Sequence, residues 1–204
     1  MKKIFLYILM IIAFCNCQNK KEKTGLSSEE IKDINDIVEA IIIQDSLDVF
    51  YKSEDSTAFC AELRKLNIYI PEMTKEGNII PPPPQDIYIT QILSNEIDRN
   101  TFFTSKDSLY LLKQNSNPDK LEINKALKNK LNTTTFAKAV IKRKKVDNYG
   151  FYNMTIPIFS LDRQNSYIQL EYHCSGLCGH GNAFYLKKNK GKWKIVRKRE
   201  TWIS

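Results

Sequence analysis

The chain has 204 residues, 42% of them apolar and 26% charged, and 31 Lys and Arg against 23 Asp and Glu give a formal charge of +8. That length suits one domain with a real core, and without an internal period it excludes a solenoid of repeats. The surplus charge is diffuse, which describes a solvated surface, although such a surplus steers a protein toward anionic lipid or acidic polymers.

Taken in chain order, Lys2 and Lys3 open the chain, and Ile4 to Phe14 follows as an uninterrupted apolar run. A permanent bilayer-crossing helix needs roughly 20 residues, so this run is too short. Cys15 and Cys17 then precede the polar stretch Gln18-Asn19-Lys20-Lys21-Glu22-Lys23. A charged start, a short apolar core and a cysteine before a solvated linker resemble a bacterial lipoprotein signal peptide. The resemblance implies that one cysteine becomes the acylated first residue of the mature chain. Bulky Phe14 is a poor neighbour for a cleavage point, which favours Cys17 over Cys15 as the lipid attachment site. Gln18 resembles the residue found in lipoproteins sent to the outer membrane rather than the inner one. The alternative is an ordinary secretory signal cut nearby. The organisation expected is therefore a signal peptide over 1–16, an acylated cysteine and polar tether over 17–27, and a single α+β domain over 28–204.

With Cys15 lost and Cys17 acylated, Cys60, Cys174 and Cys178 remain in an exported, oxidising setting. Cys174 and Cys178 are close enough in sequence to form a disulfide. Cys60, within Ala58-Phe59-Cys60-Ala61, reads as a buried inert thiol.

Ser27 and Glu30 form a capping box, and Ile31, Ile34, Val38, Ile41 and Ile42 recur at helical spacing, predicting a helix to about Gln44. A short strand at Leu47 to Tyr51 and a turn at Ser53 to Ser56 follow. Leu66, Ile68 and Ile70 alternate as a strand up to Pro71. Residues 78–84 carry four consecutive prolines and read as a stiff polyproline connector. Ile87 and Ile89 suit an edge strand, with a short helix near Thr90 to Leu93. Further helices are expected after Thr104, over Asn124 to Leu131 and over Thr133 to about Lys142, with a brief strand at Leu121 to Ile123. The third of these helices places Phe136, Ala137 and Val140 on its apolar side.

The last third reads as sheet. Tyr152, Met154, Ile156 and Ile158 share a face of a strand from Phe151 to Phe159. In Tyr167 to Tyr172, Ile168, Leu170 and Tyr172 share one face and Tyr167, Gln169 and Glu171 the other. A Cys/Gly-rich turn leads to a return strand, and Lys188-Asn189-Lys190-Gly191 turns into the final strand. There Trp193 and Ile195 share a face, but Arg197 and Arg199 then fall where apolar residues belong. A bulge near Ile195–Val196 is expected to restore the parity and bring Trp202 inward. The fold class is therefore α+β, with N-terminal and central helices packed on a C-terminal antiparallel meander of about four strands.

The chemistry is sparse. His173, Cys174, Cys178 and His180 carry the donor types zinc or copper(I) prefer, but their spacing matches no established finger. A thioredoxin-like site needs C-x-x-C at a helix start, and this pair lies in a hairpin. A hydrolase on Ser160 or Ser175 with His173 and Asp162 lacks the nucleophile-elbow motif. No phosphate loop or dinucleotide fingerprint is present, so no cofactor and no catalytic residue is assigned.

The stretch Leu177-Cys178-Gly179, Gly181, Gly191-Lys192-Trp193-Lys194-Ile195 and Trp202-Ile203-Ser204, together with the leader, resembles small uncharacterised bacterial lipoproteins. The resemblance implies the same export route and no catalytic residues. The leading expectation is a lipid-anchored cell-envelope protein acting as a non-catalytic binding module. Its partners would be the membrane, through the anchor, and an anionic polymer or another envelope protein, with no nucleic acid. A metal-binding or thiol-redox module at His173, Cys174, Cys178 and His180 is the alternative, and a hydrolase the third.

Overall fold

The computed structural model describes residues 25–50 and 57–204. The leader, Cys15, Cys17 and the turn at Ser53 to Ser56 lie outside the described residues.

Helix α1 (Ser28–Gln44) begins as its sequence dictates. The Ser27 hydroxyl accepts from the Glu30 amide at 3.2 Å, and the Glu30 carboxylate accepts from the Ser27 amide at 2.8 Å, satisfying two orphan helix donors. Short strands β1 (Ala58–Cys60), β2 (Glu62–Arg64) and β3 (Ile68–Tyr69) follow. After the proline connector come β4 (Ile87–Tyr88), α2 (Ile89–Leu93), β5 (Glu96–Ile97) and β6 (Asn100–Thr101). Helix α3 (Ser108–Lys113), β7 (Lys120–Glu122), α4 (Lys125–Lys130), β8 (Thr133–Thr134) and α5 (Phe136–Arg143) complete the central region. The C-terminal strands are β9 (Phe151–Met154), β10 (Ile158–Phe159), β11 (Asn165–His173), β12 (His180–Asn189) and β13 (Lys192–Ile203).

The main sheet runs β13-β12-β11-β9-β1-β8, with β10 also on β11. From β13 to β9 every pairing is antiparallel, which is the expected meander. Strand β1 then adds in parallel to β9, and β8 in parallel to β1. Neither β1 nor β8 was legible as a strand. All three β1 residues are buried, so no alternation betrays it. Thr133 and Thr134 pair with β1 before Thr135 caps α5, shortening the helix expected from Thr133. Ala139, not Ala137, is the residue that α5 buries fully. Among the described residues Leu47 to Phe50 forms no strand, though Leu47 and Val49 are buried.

The first face of the sheet is covered by α1. Ile34, Ile37, Val38, Ile41 and Ile42 meet Phe59, Met154, Ile168, Leu170, Phe184, Leu186 and Trp193 in the largest core. Beneath this face Asp33, 4% exposed, accepts from Lys188 Nζ at 2.7 Å and Trp193 Nε1 at 3.3 Å, and pairs with Arg163. The Gln44 side chain donates to the Trp193 carbonyl and accepts from the Ile195 amide, each at 3.0 Å, so a helix side chain occupies the open edge of β13.

The second face is covered in two places. Leu66, Ile68, Ile87, Ile92, Phe102, Phe103 and Leu111 pack on Tyr167, Ala183 and Tyr185 at one end. Helix α5 packs Ala139 with Ala58, Cys60, Tyr149 and Phe151 at the other. The strand expected over Phe151 to Phe159 breaks at Thr155, so Ile156 stays in the first core while Ile158 joins the second.

The bulge falls where the parity breaks. Leu186 pairs with Ile195 and Tyr185 with Arg197, so Val196 is the extra residue. A second shift, with Gly181 on Trp202 and Asn182 on Glu200, makes Thr201 another. Arg197 and Arg199 leave the face of Trp193 as the expected bulge requires, but Trp202, expected to turn inward, is carried to the second face by the second bulge.

Candidate functional site

Between the two packed regions of the second face lies a polar cleft of about 540 Å³, within the roughly 300–1,000 Å³ range of small-ligand sites. Its floor is β11, whose alternation presents Tyr167, Gln169 and Glu171 there. The Gln169 amide donates to the Tyr167 hydroxyl at 3.1 Å. Burial holds the Tyr167 phenol well above its ordinary value, so it remains a neutral partner.

Glu171 is the centre of the floor, 2% exposed. Its Oε2 accepts from Gln85 Nε2 at 3.0 Å and lies 3.3 Å from His173 Nε2. Its Oε1 lies 3.5 Å from Arg64 Nη2, an ion pair without a hydrogen bond. Burial pushes the Glu171 carboxyl up, but the His173 hydrogen bond and the Arg64 charge outweigh it and hold the group below the ordinary carboxylate range. Arg64 itself is pulled down by burial and supported by Glu171 and Asp86. It stays charged, because a guanidinium does not deprotonate in proteins. Arg64 Nε and Nη2 and Glu171 Oε1 have no hydrogen-bond partner among the described residues.

One wall comes from the segment after the prolines. Gln85 adopts φ 73°, a left-handed conformation that costs a non-glycine residue energy and here swings its amide over Glu171. Asp86 is fixed by Asn67, whose backbone and side-chain amides donate to Oδ1 at 3.0 and 3.2 Å. Gln91, Ser94 and Asn95 continue the wall. The opposite wall is the end of β13, with Arg199, Glu200, Thr201 and Trp202. Trp202 lies along the backbone of β12: a Cβ at Gly181 would strike its pyrrole edge, and one at Gly179 would press its six-membered ring at 3.2 Å. These glycines are required for that close approach.

The residues singled out in the sequence separate. Cys174 and Cys178 form a disulfide with Cα atoms 5.9 Å apart. His173 stacks on Phe151 on the second face, at 4.9 Å between centroids. His180 pairs in register with Tyr172 and so sits on the first face. The sheet lies between the imidazoles and the thiols bond each other, so the four side chains do not converge. Among the described residues no group of three or more His, Cys, Asp or Glu is placed to hold a metal ion.

Ser160 and Asp162 bond each other at 2.6 Å in the turn before β11, about 26 Å of strand away from His173. They close a turn and cannot serve that histidine. Cys60 is buried, and its thiol is pushed up to about 12, chiefly by desolvation, which removes thiolate reactivity.

Arg64, Gln85, Glu171, Arg199 and Trp202 were not read as site residues. Only the broken parity after Ile195 signalled that Arg199 changes face; the second bulge, which sets the face of Trp202, carried no signal. A scan against protein-family models matched none, and searches of curated proteins and of solved structures returned no match.

Proposed function

We propose that this chain is an exported lipoprotein, held on the outer membrane through acylated Cys17, whose domain is a non-catalytic receptor for a small polar ligand in the envelope. The observation that carries the receptor reading is the cleft on the second face, with a rigid hydrogen-bonded floor and a rim of partly exposed polar side chains. Such a site offers preorganised donors and acceptors, so little ordering entropy is lost on binding. The leader supports the anchor: several acyl chains, at about 0.8 kcal/mol per buried methylene, hold a protein on a membrane almost permanently.

Two experiments test the two halves. Cys17→Ser should move the protein from the membrane fraction to the soluble fraction, and unchanged membrane association would end the proposal of acylation there. Saturation-transfer NMR with a panel of sugars, dipeptides, dicarboxylates and polyamines should find a binder whose signal falls in Arg199→Ala. A panel without a binder would end the receptor reading.

A further inference from the structure

Resting on the receptor reading, we infer that the cleft recognises an uncharged saccharide. The argument begins with charge. Three acidic residues line the cleft, but Asp86 is bonded by Asn67, and Glu171 is engaged by Arg64, Gln85 and His173. Glu200 is in register with Asn182 and turns its carboxylate to the first face, so Arg199 is the charge that the rim presents. A phosphate or polycarboxylate would require a surplus of cations, and a polyamine a surplus of anions. Two carboxylates face the cleft, Asp86 and Glu171, and two guanidinium groups balance them, Arg64 behind the floor and Arg199 on the rim, so neither surplus exists.

The second element is the kind of polar group. Gln85, Gln91, Asn95 and Gln169 each carry a donor and an acceptor in one plane, and Arg199 adds a planar bidentate group. A planar donor–acceptor pair matches two neighbouring hydroxyls, each of which both donates and accepts. A peptide would instead seek an open strand edge for backbone pairing, and the first stretch of the β13 edge is occupied by Gln44.

The third element is Trp202. Its indole lies along the backbone at Gly179 and Gly181, and the ring lines the cleft while only partly exposed. A sugar ring has polar edges and an apolar C–H face, the complement of an aromatic platform set among amides. An ion has no such face.

The test is calorimetric titration of the purified full-length protein with maltotriose, cellotriose and N,N′,N″-triacetylchitotriose, beside Gly-Gln, succinate and spermidine. The expected result is heat from at least one trisaccharide, with an affinity loss of about tenfold in Trp202→Ala and a smaller loss in Trp202→Phe. Arg199→Ala, an exposed substitution, provides a second variant if Trp202→Ala fails to fold. Trp193 is 3% exposed, so a ligand-induced change in tryptophan fluorescence would report Trp202 and should vanish in Trp202→Phe. Binding of Gly-Gln, succinate or spermidine alone, lost in Arg199→Ala, would overturn the saccharide inference and leave the receptor standing. Trisaccharide binding unaffected by every variant would place the sugar elsewhere and overturn it too. Silence from all six compounds would overturn both readings.

Discussion

Asp33 shows how one buried charge ties two distant parts of the chain. Burial alone would raise its pKa, but hydrogen bonds from Lys188 and Trp193 and the charges of Lys188 and Arg163 outweigh that and keep it below the ordinary value. A carboxylate depressed in this way contributes stability above its unfolded pKa, about 3.9, and loses it as pH falls through the lower folded value. Asp33→Ala leaves Lys188 and Arg163 without their buried partner, so urea denaturation at neutral pH should show a loss of about 3–5 kcal/mol. The difference from the parent protein should hold down to mild acid and shrink below the ordinary aspartate pKa. At the cleft, Gly181→Ala sets a methyl group against the Trp202 indole. Overpacking there should cost about 1–3 kcal/mol and shift Trp202 emission, both readable in one fluorescence-monitored unfolding curve.

Strand β13 carries the argument at the scale of the element. Its first half faces α1 through Trp193 and Ile195, and its second half faces the cleft through Arg199 and Trp202. One extra residue, Val196, makes the change of face for Arg199, and a second, Thr201, keeps Trp202 on the same side. Because Val196 is the residue without a partner on β12, deleting it should close the bulge and leave Arg199 and Trp202 on the second face, whereas inserting a further residue there should send them to the first, since side chains alternate with period two. Val196→Ala, at a position 39% exposed, should alter stability by no more than about 0.5 kcal/mol. Comparing the deletion with Val196→Ala by hydrogen exchange in β12 and β13 separates loss of the bulge from loss of the side chain. The hairpin end is stapled twice, by Cys174–Cys178 and by the Ser204 amide donating to the Gly179 carbonyl at 2.9 Å. A disulfide closing so short a loop contributes about 2 kcal/mol through unfolded-state entropy, the loss expected for the Cys174→Ser, Cys178→Ser double variant. Thiol titration of the denatured parent protein should gain two groups on reduction.

Considered whole, the molecule is a mixed sheet that cannot stand without its N-terminal contributions. Helix α1 covers the first face, and β1 lies between β9 and β8. A fragment spanning 146–204 would expose Phe184, Leu186, Ile168 and Leu170, all at most 2% exposed in the intact chain, and should show no cooperative unfolding by circular dichroism. Much was legible beforehand: α1 with its capping box, the meander and the Val196 bulge each carry a local period or turn signal. Strand β1 carries none, because a strand buried on both faces has no polar alternation to display. The cleft was illegible for another reason. Arg64, Gln85, Glu171 and Trp202 come from four separate stretches, and no spacing within the chain announces that they meet.

By itself, then, the order of residues determined the bounds of α1, the α+β character and the first place where the last strand must slip, since these follow from backbone propensity and period within a few residues. Which face Trp202 joins, which histidine meets Glu171 and where a ligand could sit were decided only by tertiary packing. Those outcomes depend on the register of strands far apart in sequence, and register is settled by the two cores that close on either side of the sheet.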